Sequence, residues 1–132
     1  MTPFSFPVRV YYEDTDFSGN VYHAAYLKFF ERSRTEFLRA QDIHHHELAQ
    51  QGIAFAVRAM DIQFDGAAHI DDLLYVTTAV ASCSGARLVL TQTISCNDVI
   101  LTRASVTVVA IKTAGGVARM PKAILAPFAN PA

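Results

Sequence analysis

At Gly52 the hydrophobic period of this chain changes from three-and-four to two, and that change narrows what the chain can fold into. Before it, Tyr22, Tyr26, Phe29, Phe30, Ser33 and Phe37 recur at helical spacing, with Lys28, Arg32, Thr35, Glu36 and Arg39 on the opposite face. This predicts a helix over 22–40, capped by Asn20 or Ser18, with Arg32 and Glu36 as a surface pair. Residues 42–51 read as a short second helix that Gly52 stops. After it, Met60, Ile62 and Phe64 alternate with Ala59, Asp61 and Gln63, and further strand-like runs cover 73–82, 87–95 and 99–113. Asp65-Gly66, Ser84-Gly85, Asn97-Asp98 and Gly115-Gly116 separate these runs as turns.

An earlier alternating run, 4–13, sets Val8, Val10 and Tyr12 against Arg9, Tyr11 and Glu13. Pro7 within it lacks an N–H and favours a sheet edge. The order strand, long helix, four strands on short turns gives an antiparallel sheet with one principal helix, an α+β class. One helix covers one face, so the other is free for a second subunit. The β-branched last run (Val106, Thr107, Val108, Val109, Ile111) suggests sheet extension or stacking into an oligomer. Pro121 begins a short tail.

With 132 residues the chain suits a single domain, 1–132, and its 52% apolar content supplies a core and argues against disorder. The net charge of −1 gives no electrostatic reason to bind nucleic acid or an anionic membrane. The last quarter is locally basic (Arg103, Lys112, Arg119, Lys122), a solvated surface or a patch for a small polyanion. No apolar run spans a bilayer and no signal-peptide pattern opens the chain, so a cytoplasmic protein is expected. With turns at Ser84-Gly85 and Asn97-Asp98, Cys83 faces Ala86 and Cys96 faces Val99. No disulfide is expected between them.

Chemistry concentrates in 12–23, where Asp16 sits in a glycine-bearing turn just ahead of the long helix. A carboxylate beside the first free N–H groups of a helix can attack, or activate water against, a carbonyl that those groups polarise. Asp14 and Glu31 compete for that role. A structural turn acid is the plain alternative. Asp14, Asp16, Ser18 and Gly19 mimic the start of a calcium loop, but Ala25 stands where its bidentate Glu belongs. His44-His45-His46 point about 100° apart on a helix and do not converge on one ion. No nucleophile elbow, phosphate loop or zinc spacing is present, and no metal is expected.

Asp14-Thr15-Asp16-x-x-Gly19-x-Val21-x-His23-x-x-Tyr26, followed by Phe30-Glu31-Arg32-x-Arg34-Thr35-Glu36, resembles the hotdog-fold acyl-CoA thioesterases, 4-hydroxybenzoyl-CoA thioesterase type, in their Tol–Pal-associated subgroup. The likeness continues through Gly52-Ile53-Ala54-Phe55-x-Val57-Arg58 and Ala67-x-x-x-Asp71-Asp72-Leu73-Leu74-x-Val76. It implies a five-stranded antiparallel sheet wrapped around one long helix. It also implies a homodimer with interface active sites, often paired into a homotetramer, and a loose link to envelope proteins.

By the same resemblance Asp16 is nucleophile or general base, and the backbone N–H of His23 receives the thioester carbonyl. Gly19 and Val21 shape the acyl loop, and Tyr26 lines the acyl pocket or packs in the core. Arg87, Arg58 and Lys122 are candidates for the CoA phosphates. No cofactor is needed, the CoA thioester being the substrate. Phe17-Ser18 and Asn20 depart from the small residues usual in this loop. The rival readings are a hotdog acyl-thioester hydratase or dehydratase using His23 or His69, and a non-catalytic acyl-CoA-binding protein.

Overall fold

The computed structural model describes residues 3–122. Strand β1 (Phe4–Arg9) leads through a 3-10 turn (Tyr12–Asp14) and a loop into α1 (Ala25–Ala40) and the short α2 (His45–Gln50). Strands β2 (Ile53–Phe64), β3 (Leu73–Ser84), β4 (Arg87–Cys96) and β5 (Val99–Lys112) follow. All pairings are antiparallel, and the spatial order is β1-β3-β4-β5-β2. This is the expected α+β architecture, with Pro7 on an edge strand.

Period-two alternation sends one face of each strand against α1. Leu74 and Val76 of β3, Leu88, Leu90 and Ile94 of β4, and Val106 and Ala110 of β5 are buried with Phe29, Phe30 and Phe37 of α1. Each large side chain so buried contributes about 1.5–3 kcal/mol. Three single-residue bulges interrupt the ladders, at Arg58 in β2, Ala81 in β3 and Leu101 in β5. A bulge bends its strand and increases local twist, which favours a sheet curved about a helix.

Several boundaries differ from the sequence reading. β1 ends at Arg9 rather than Glu13, and Tyr12 is exposed in the 3-10 turn. The Asp14 carboxylate takes the Tyr11 amide at 2.8 Å and stops the strand there. α1 begins at Ala25 rather than Tyr22, because Val21 is held extended by its bridge to Thr15 and by its N–H to Ala68 O at 2.8 Å. Neither Ser18 nor Asn20 caps it: the N-cap is Ala24, with no side-chain cap.

α1 ends in a Schellman motif. Asp42 adopts φ 60°, its N–H meets Arg39 O, and the Ile43 N–H meets Leu38 O. α2 therefore starts only at His45. Glu36 pairs with Arg39 at 2.6 Å, not with Arg32. The β3–β4 turn is Gly85-Ala86, so Cys83 lies opposite Leu88 rather than Ala86, while Cys96 does face Val99. The β-branched β5 is interior; the sheet edges are β1 and β2. The tail beyond Lys122 lies outside the described residues.

Candidate active site

The loop between the 3-10 turn and α1 is closed on itself. The Asp16 N–H donates to Asn20 O at 2.9 Å and Gly19 N–H to Asp16 O at 3.2 Å, while Thr15 bridges Val21. Gly19 has φ 84°, a conformation that disfavours any Cβ-bearing residue. The Asp16 side chain is exposed, and its Oδ1 accepts two hydrogen bonds from Ser18, N–H at 2.8 Å and Oγ at 2.5 Å. Its pKa is lowered, chiefly by the Ser18 hydroxyl, then by the Ser18 amide. In this single subunit the bonds to the carboxylate come from its own turn and not from the first amides of α1.

A second loop, between β2 and β3, clamps the first. Ala68 O accepts the Val21 N–H, the Ile70 N–H donates to Gly19 O at 3.1 Å, and Asn20 bridges His69. Tyr26 fastens this loop to α1: the side chain is buried, and its hydroxyl receives the Ala68 N–H at 3.0 Å. Within this subunit Tyr26 belongs to the core cluster. Burial raises the Tyr26 pKa. Val21 is also buried. His23 is exposed; its ring packs on Tyr22 at 4.6 Å and approaches Phe64 edge-on at 6.5 Å. His69 Nδ1 faces the Asp72 carboxylate at 3.7 Å.

Asp16, Gly19, Val21, His23 and Tyr26 thus gather at one end of the sheet. Arg87 does not join them. It opens β4 at the opposite end, about 26 Å from Ser95 at the usual strand rise. Arg58 sits exposed at the β2 bulge, midway along that edge. Lys122 is exposed at the limit of the described residues. Asp14 is committed to the Tyr11 amide. The three consecutive histidines diverge: His44 to Asp42, His45 to the Phe55 ring, His46 to Gln50. Among the described residues no group of three His, Cys, Asp or Glu side chains is placed to hold a metal ion.

Sequence reasoning missed a buried polar network under α1. Arg34 Nη1 donates to Gln92 Oε1 at 2.9 Å, and Gln92 Nε2 donates to Phe30 O at 3.0 Å and to Thr78 Oγ1 at 2.8 Å. Ser33 Oγ meets Thr78 Oγ1 at 2.9 Å and Val76 O at 3.2 Å. Burial pushes the Arg34 guanidinium below its usual pKa, and Glu31 opposes that shift. The signal was present: Gln92 interrupts the inward series Leu88, Leu90, Ile94, and Thr78 follows Leu74 and Val76. Arg34 also lines a cavity of about 110 Å³, with Glu31, Leu38, Phe55, Leu88 and Leu90 among its walls.

Comparison with known proteins converges on one family. Residues 10–128 match the family model described as Thioesterase-like superfamily. The chain is 48% identical over 109 residues to the acyl-CoA thioesterase YbgC of Haemophilus influenzae, covering 82% of this chain and 80% of that one. It is 43% identical over 129 residues to the acyl-CoA thioester hydrolase YbgC of Escherichia coli, covering 96% of each. A probable thioesterase from Bartonella henselae superposes with a TM-score of 0.87 at 42% identity, covering 91% of this chain and 100% of that one. With this fold, this loop and these relatives, the chain belongs to the thioesterase-like superfamily.

Proposed function

We propose that this chain hydrolyses acyl-CoA thioesters, with Asp16 as nucleophile or general base. One observation carries the reading: an exposed carboxylate of lowered pKa, held at Oδ1 by Ser18, sits on the loop that feeds a helix start without a side-chain cap. Uncapped N–H groups there, His23 among them, suit a thioester oxygen. Each such donor is typically worth about 2.7–4 kcal/mol of barrier.

In one route Asp16 Oδ2 attacks the carbonyl carbon and expels the CoA thiolate. Water then opens the mixed anhydride, freeing the acid and restoring the carboxylate. In the other, Asp16 takes a proton from water as that water attacks, and the same tetrahedral intermediate expels the thiolate. Gly19 and Val21 shape the acyl loop, and neither route calls on a cofactor.

A second copy completes the site in this reading. β2 is a long edge strand, and Val57 and Phe64 on it are exposed, as are Phe17 and Tyr22 beside the acid. Pairing at that edge would cover apolar surface and bring the partner's arginines, Arg58 or Arg87 by type, toward a CoA held at the loop. That requires a homodimer at minimum, and a homotetramer if dimers stack. The resemblance of the motif running from Asp14 to Tyr26 is what suggests the 4-hydroxybenzoyl-CoA type and the Tol–Pal-associated subgroup, with its loose link to envelope proteins. Among the described residues no helix is long and apolar enough to cross a membrane.

The test is thiol release from a panel of short aliphatic, long aliphatic and aromatic acyl-CoAs. Turnover of at least one class, with free CoA as product, is expected. Saturable binding without thiol release from any of them identifies a carrier instead. An enoyl absorbance change without thiol identifies a dehydratase.

A further inference from the structure

We propose that Ser18 is a positioning residue for the Asp16 carboxylate, holding Oδ1 with its hydroxyl and its amide so that Oδ2 is presented for reaction. The inference rests on the reading of Asp16 as the reacting acid. An exposed Asp side chain ordinarily samples several rotamers. Here two donors from one residue, Oγ at 2.5 Å and N–H at 2.8 Å, converge on the same oxygen. The hydroxyl is itself directed: the Asn20 N–H approaches Ser18 Oγ at 3.4 Å and occupies a lone pair, which leaves the hydroxyl proton for Asp16. Such a chain of donors strengthens its terminal bond. The backbone imposes the arrangement, since Asp16 and Asn20 are joined across the turn and Gly19 supplies the left-handed step.

No charged neighbour does this work. The Asp14 carboxylate takes the Tyr11 N–H, the His23 ring lies on Tyr22, and His69 faces Asp72. The lowered Asp16 pKa has the Ser18 hydroxyl as its first cause and the Ser18 amide as its second. The sign follows. Removing the hydroxyl lets the carboxyl pKa rise back toward 3.8, so a larger fraction is protonated and inactive at any acidic pH.

Ser18→Ala, Ser18→Thr and Asp16→Asn are compared in the full-length protein. The readouts are the pH profile of kcat/KM on an acyl-CoA that the wild type hydrolyses and the carbon-13 titration of the Asp16 carboxyl. Ser18→Ala is expected to move the acid limb and the carboxyl titration to higher pH. It should also lower plateau kcat about three- to ten-fold, with KM and Tm near wild type. Ser18→Thr, which keeps the hydroxyl, restores the profile. An inactive Asp16→Asn beside a Ser18→Ala whose acid limb and titration are unmoved overturns the role of Ser18 alone. Near-wild-type turnover by Asp16→Asn overturns both readings.

Discussion

Gln92→Leu tests whether α1 is registered on the sheet by the buried polar network. Leu is close to Gln in volume, so packing is nearly kept and the hydrogen bonds are lost. Three groups lose a partner, at unequal cost. Thr78 Oγ1 retains Ser33 Oγ at 2.9 Å. The Phe30 carbonyl lies inside α1, where the helical ladder supplies a donor. Arg34, only 8% exposed, loses its hydrogen bond from Nη1. A buried guanidinium deprived of its acceptor costs about 3 kcal/mol. For a chain of this size that lowers Tm by about 10 °C.

Urea unfolding at fixed protein concentration measures the loss, because any oligomer makes the midpoint concentration-dependent. The double variant Arg34→Met with Gln92→Leu removes donor and acceptor together, and stability should return to within about 1 kcal/mol of wild type. If Gln92→Leu costs less than about 1 kcal/mol, or if the double variant costs the sum of the two single ones, the network is not what fixes α1.

Gly19→Ala forces a Cβ into φ 84°, although nothing lies within 4 Å of it. The cost is conformational, about 1–2 kcal/mol, and turnover should fall more than stability, as paired activity and denaturation curves would show. Tyr26→Phe leaves the Ala68 N–H without its acceptor at a cost of about 1–3 kcal/mol. Amide exchange in both clamped loops should rise with it. Asp42→Gly relieves the left-handed C′ position at φ 60°, and a gain of about 0.5–1 kcal/mol in chemical denaturation is expected.

How far the sequence carried depends on what each feature required. The helix stripe and the alternating strands are local periodicities, so α1 and β2 to β5 were readable, as was the Asn97-Asp98 turn, whose residues both adopt positive φ. The ends of elements were not, because long-range bonds set them. Val21 stays extended through Ala68, and that pairing delays α1. The β3–β4 register slipped because Ala81 bulges and Gly85, with φ 41°, turns together with Ala86.

Around the site, the Asp16 loop was readable from its glycine and its acid. Its hold by Ser18 was not, since that depends on a side-chain rotamer. The Gln92 network escaped because Ser33 was read only as a member of the apolar stripe and Arg34 was assigned to neither face, and the partners of both depend on which strand residues they meet.

The central claim is that the carboxylate of Asp16 performs the hydrolysis. Thiol release by Asp16→Asn, measured on an acyl-CoA that the wild type turns over, addresses it most directly. The substitution keeps side-chain volume and removes the charge. A fall of about a thousand-fold or more in kcat, with CoA affinity and Tm unchanged, is the expected result. Hydrolysis at near the wild-type rate by a folded Asp16→Asn would contradict it.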